Sequence, residues 1–174
     1  MKWNAWGLLL AIFFTPIIYA DNVDVITPKI MLNHIDTVRA QEELGDELYF
    51  DVTVINANQP REFFRIPKFP IHWPSSLSSK IKQVTLWSDP LKPNQTVILL
   101  LGLMDQDPEP LNPDDLIGLI RVTLKNNKGQ LQVHWTIPNR TTGPVTIAGK
   151  KGDIQKFELY GEQGQYDVYL SLEQ

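Results

Sequence analysis

The sequence predicts an all-β protein, a single β-sandwich, and three observations carry that expectation. Apolar and polar residues alternate with period two, or gather in short apolar runs bounded by Pro, Gly and Asn. Helical periodicity is scarce; its one candidate, 37–44, is short and polar and reads as a loop with a helical turn. The chain contains no cysteine, so a small exported domain of this kind must hold together through its core rather than through disulfides.

The expected strands follow in order. Segment 29–35 is weakly patterned. Glu47–Asn56 sets Leu48, Phe50, Val52 and Val54 on one face. Glu62–Ile66 follows a polar turn. The proline-rich stretch from Ile66 to Pro74 is unsuited to a central strand, because proline removes a ladder donor. Segment 82–87 alternates. Segment 96–104 is nearly all apolar, which predicts a central strand buried on both faces. Segments 116–125 and 131–137, joined through the turn at 126–129, read as a hairpin. Segments 157–160 and 166–172 close the chain. Eight or nine short strands separated by turns suit a sandwich. Phe63, Phe64, Phe69, Trp73 and Trp87 are expected to pack the core or a loop. Trp73, between His72 and Pro74, is the one that could instead meet a membrane or a partner.

The first twenty residues read as a cleaved signal peptide. Lys2 precedes the apolar stretch 6–18, and Tyr19-Ala20 places a small residue before polar Asp21. The alternative is an uncleaved anchor, but the run is short and broken by Thr15 and Pro16 against the about 20 residues a span needs. The expected organisation is 1–20 signal peptide and 21–174 one domain, exported to the periplasm or outside the cell, with no transmembrane span after cleavage. Absence of cysteine fits a bacterial exported protein. Cleavage removes one base and no acid, taking the net charge from −4 to −5. That balance gives no global pull toward nucleic acid.

Nothing argues positively for an enzyme. No Gly-x-Ser-x-Gly elbow and no phosphate-binding glycine loop is present, and His34, His72 and His134 lack metal-site spacing. The informative segment is 97–124. A buried strand ends in Asp105-Gln-Asp107, a proline-rich loop follows, and Asp114-Asp115 returns at its far side. Residues two apart on a strand point the same way, so these carboxylates either converge on a hard cation such as Ca²⁺ or form an acidic turn.

Asp105-x-Asp107, a short loop, Asp114 or Asp115 and then Leu116-Ile117-Gly118 resembles the third loop of C2 domains. Gly45-Asp46-Glu-Leu-Tyr49-Phe50 is similar to the end of their first loop, with Asp46 as the matching residue. The resemblance covers roughly 29–124. It implies an eight-stranded antiparallel sandwich that binds Ca²⁺ through Asp46, Asp105, Asp107 and Asp114 or Asp115 and docks on a phospholipid head group; the residues themselves add Trp73, Lys80 and Lys82 as candidate lipid or partner contacts. The departures are Pro108, Pro110 and Pro113 in the third loop and the missing counterpart of a second first-loop aspartate, for which Asp36, Glu42 and Glu43 are substitutes. Many C2 domains have lost calcium and bind lipid or protein without it. The expected function is therefore an exported, monomeric binding module that attaches to phospholipid or a host surface, a secreted virulence factor in one reading. A calcium-independent protein-interaction domain is the alternative, and a hydrolase using loop carboxylates stands last.

Overall fold

In a computed structural model the protein is described over residues 24–57, 59–107, 113–137, 145–148, 150–161 and 163–174. The signal-peptide expectation, 1–20, lies outside the described residues, as do Pro108 and Pro110 of the third loop.

Among the described residues eleven strands form two antiparallel sheets. They are β1 (Lys29–Arg39), β2 (Glu47–Asn56), β3 (Glu62–Ile66), β4 (Trp73–Pro74), β5 (Val84–Ser88), β6 (Thr96–Asp105), β7 (Asp115–Asn127), β8 (Gln130–Ile137), β9 (Val145–Ala148), β10 (Ile154–Tyr160) and β11 (Gln165–Glu173). The smaller sheet runs β10-β11-β1-β5. The larger runs β3-β2-β6-β7-β8-β9, with β4 also paired to β2. The all-β sandwich is as the sequence predicts. The strand count exceeds eight because β4 has two residues and β9 four, lengths at which no alternation can be read.

Period two explains the packing. Leu48, Phe50, Val52 and Val54 of β2, and Val97, Leu99, Leu101 and Leu103 of β6, face inward and are buried. Ile30, Leu32 and Ile35 of β1 and Tyr166, Val168, Leu170 and Leu172 of β11 meet them from the other sheet in the same core. Strand β6 is central, between β2 and β7, but it is not buried on both faces. Ile98, Leu100 and Met104 are only half-buried on its outer side, where no second layer covers the sheet among the described residues. Between β4 and β5 a 3-10 helix, Ser75–Lys80, lies against β1.

The predicted β7–β8 hairpin forms, and Asn126 shows why. Its backbone and side chain fasten three segments at the end of the sandwich away from the acidic loops. Nδ2 donates to the carbonyls of Asp24 (2.7 Å) and Leu91 (2.9 Å), and Oδ1 accepts from the Gly129 N–H at 2.8 Å. Asn126 is fully buried. Asn126→Ala strands two carbonyls and an N–H, so urea denaturation is expected to show a loss of about 2 kcal/mol; an unchanged midpoint would refute the tie.

Candidate functional site

Antiparallel pairing gathers the functional candidates at one end. The register sets Leu48 opposite Asp105, Asp105 opposite Asp115 and Phe50 opposite Ile66. The start of β2, the ends of β3 and β6 and the start of β7 therefore share one edge of the molecule. The loop before β2 (40–46), the segment after β3 (67–72) and the flanks of the third loop all emerge there.

Asp46 is almost wholly buried, and its carboxylate is occupied by protein donors. The Gln41 N–H reaches Oδ1 at 2.9 Å and Oδ2 at 2.8 Å, the Glu42 N–H reaches Oδ1 at 2.9 Å, and the Tyr166 hydroxyl donates to Oδ2. The backbone of Asp46 exchanges bonds with Ser75: its N–H donates to Oγ and its carbonyl accepts from the Ser75 N–H, both at 2.8 Å. Gly45 permits this fold-back. Its φ is +94°, and a Cβ there would meet Ser75 Oγ at 2.8 Å. Burial, followed by the bond to Asp46, holds the Tyr166 hydroxyl protonated far above the usual phenol range.

Asp105 is also buried. Its Oδ1 accepts from the Glu47 N–H at 2.8 Å, and Gln41 Nε2 approaches Oδ2 at 3.4 Å. Burial raises its pKa to about 7. The charges of Asp46 and Asp107 add to the rise, and the Glu47 and Gln41 bonds oppose it. Asp107 and Asp114 lock to each other: the Asp107 N–H donates to Asp114 Oδ1 at 3.0 Å, and the Tyr49 hydroxyl donates to Oδ2 at 2.6 Å. Burial and that bond push the Tyr49 hydroxyl up in turn. Asp115 is exposed at the first position of β7.

These residues do not fit a calcium ion. The ion needs six to eight oxygens aimed at one point. Here both oxygens of Asp46 and both of Asp114 face N–H or O–H donors, whose positive ends would oppose a cation. Among the described residues no group of three or more His, Cys, Asp or Glu comes together to hold a metal ion. The carboxylates of Asp46, Asp105 and Asp114 act as internal acceptors that fasten their own loops. Of the five expected ligands, the fold brings Asp46 and Asp105 close, sets Asp107 beside Asp114 and leaves Asp115 exposed at the start of β7.

The other expected contacts scatter. Trp73 is half-buried in β4, paired with Leu48 and packed on the core, so it is not a free tip. Lys80 is exposed at the end of the 3-10 helix, and Lys82 lines a surface groove with Asn33, His34, Asp36, Ser79 and Gln83.

The sequence leads one to expect the aromatic residues in the core or a loop and assigns no role to the aliphatic residues at this end. Trp87 is buried as expected. Phe69 and Ile71, however, are 73% and 62% exposed in the segment after β3, and Leu44 is 99% exposed at the tip of the loop before β2. Leu116, 54% exposed, starts β7 at the same end. A signal was present: Phe69 and Ile71 flank Pro70 in a stretch too proline-rich to bring either into a ladder. Arg65 braces the segment. Its guanidinium lies 3.6 Å from the Tyr49 ring centroid and 5.5 Å from that of Phe69, and Nη2 donates to the Ile71 carbonyl at 3.2 Å and to Gln106 Oε1.

No family model matches the sequence, and no curated protein matches it. Among solved structures the chain is similar to a C2 domain of plant extended synaptotagmin 1, at 12% identity and a TM-score of 0.36, over 84% of this chain and 93% of that one. A likeness of that size assigns this chain neither a ligand nor a site.

Proposed function

We propose that this chain is an exported binding module that docks on a phospholipid surface through apolar loop tips and does so without calcium. The observation that carries the reading is the exposure of Leu44, Phe69 and Ile71 on two loops at one end of the sandwich. Large apolar side chains grouped on a surface mark interaction sites, and aromatic residues suit the head-group boundary. The charges there are mixed. Glu42 and Glu43 precede Leu44, and Lys68 precedes Phe69, so apolar insertion rather than a net field supplies the attraction. The leader-like first twenty residues support export.

Fully burying one such side chain stabilises by about 1.5–3 kcal/mol, and its loss weakens binding tenfold or more. Co-sedimentation with phosphatidylcholine vesicles is expected to be equal in Ca²⁺ and in chelator. Phe69→Ser combined with Ile71→Ser is expected to weaken vesicle affinity about a hundredfold or more. Vesicles that fail to retain the parent chain would sink the lipid reading and leave a protein partner. Binding that requires Ca²⁺ would overturn its calcium-free form.

A further inference from the structure

Strand β3 ends the larger sheet: β2 is its one neighbour, and no strand lies beyond it among the described residues. An open edge presents unpaired backbone groups, and proteins usually guard it with charge, bulges or proline inside the strand. The opposite sheet does so at β10, whose Lys156 makes ion pairs with Glu158 (3.5 Å) and Asp167 (2.7 Å). Strand β3 carries one exposed acid, Glu62 at its first residue, and no guard across Phe63 and Phe64. Pro60 and Pro67 flank it but none lies within, its register with β2 is unbroken, and Phe63 is 71% and Phe64 38% exposed. Its one base, Arg65, is folded back over Tyr49 rather than spread along the edge.

We infer that β3 is a self-pairing edge, at which a second copy of this chain adds its own β3 antiparallel and joins the two larger sheets into one. Charge selects both the occupant and the register. With the two-fold axis at Phe64, each copy's Phe63 faces the other's Arg65, on the outer face that Phe63 and Arg65 already share with Thr53 and Asp51. An aromatic ring is thereby added to a guanidinium that already lies between Tyr49 and Phe69. Moving the axis one residue, to Phe63, would set Arg61 against Arg65, and like charges directly opposed are destabilising. The segment is thus complementary to its own reversed copy in one register. Backbone bonds supply affinity in such strand addition, and the opposed side chains fix the register.

Sedimentation velocity of the intact chain from micromolar to near-millimolar concentration tests this. The apparent mass is expected to double for the parent and to stay single for Phe64→Lys. The absence of cysteine gives a second readout. Opposed Cα atoms in an antiparallel pair lie about 4.5–5.5 Å apart, within the disulfide range. Phe64→Cys should therefore cross-link to a covalent dimer under mild oxidation, and Thr53→Cys, inside the sheet, should not. A single monomeric species throughout, with Phe64→Cys no more cross-linked than Thr53→Cys, would overturn the inference. If Phe64→Lys does not fold, the cysteine pair decides alone. Phe64→Lys is expected to keep vesicle binding, and Phe69→Ser with Ile71→Ser to keep the dimer, so this inference and the lipid reading fail separately.

Discussion

Asp46→Ala is expected to lower the free energy of unfolding by about 4 kcal/mol in urea, by the same amount with calcium or with chelator. The carboxylate accepts from the Gln41 and Glu42 N–H groups and from the Tyr166 hydroxyl in a site that water barely reaches. Hydrogen bonds to a charged acceptor contribute roughly 1.5–3 kcal/mol each, and a buried donor left alone costs about 1–3 kcal/mol. Three donors lose their acceptor together, but the loop can swing two of them toward solvent, so the total falls below a simple sum. Tyr166 cannot follow, because its ring is held in the core. Tyr166→Phe should therefore cost less, about 1–2 kcal/mol, since it leaves the two backbone donors in place. If Asp46→Ala lost stability only in calcium-loaded protein, Asp46 would be a metal ligand first and a loop tie second, and the assignment made from its hydrogen bonds would be wrong.

The fold was readable where the chain alternates over several residues. β2 and β8 carry clean period-two faces and lie where the pattern puts them, whereas β6 lies where its apolar run puts it but is buried on one face only. β1 runs beyond the expected 29–35 to Arg39, because pairing with β11 continues to Gln165 past a register shift that breaks the pattern. Strand pairing itself, a long-range matter, is not written in local alternation. The site was readable in part for the same reason. The sequence places acids at the ends of β6 and β7, and the fold does bring those ends together. What local reading lacks is the donor that each acid meets. Gln41, Ser75 and Tyr166 lie 5, 29 and 120 residues from Asp46, and these partners turn a ligand-like aspartate into an internal acceptor. The exposed phenylalanines teach the converse. Phe63 and Phe69 are expected in the core or a loop, yet among the described residues an edge strand and a proline-rich turn leave them 71% and 73% exposed.

Asp105→Asn is expected to stabilise the protein above pH 8 and to change little near pH 4. An unfolded aspartate titrates near its ordinary 3.8, whereas burial and the neighbouring charges of Asp46 and Asp107 raise the folded value to about 7. The folded state thus holds this proton more tightly than the unfolded state does. Stability from the group is fully present below pH 4 and drains away as pH rises through 7. The rise from 3.8 to about 7 corresponds to roughly 4 kcal/mol at the limit, and relaxation of the loop brings the gain in the variant nearer 2 kcal/mol at pH 8. Asparagine keeps an oxygen for the Glu47 N–H and brings no charge beside Asp46. Because every other titrating group is common to both chains, the difference between their urea midpoints from pH 4 to pH 8.5 isolates Asp105. That difference should open progressively between about pH 4 and pH 7 in favour of the variant and level off above pH 7. A variant less stable than the parent at pH 8 would mean that the ionised carboxylate is already neutralised by a partner of positive charge. Repeating the parent's measurement in chelator would then show whether that partner is a metal ion, the one result that would restore calcium to this end of the sandwich.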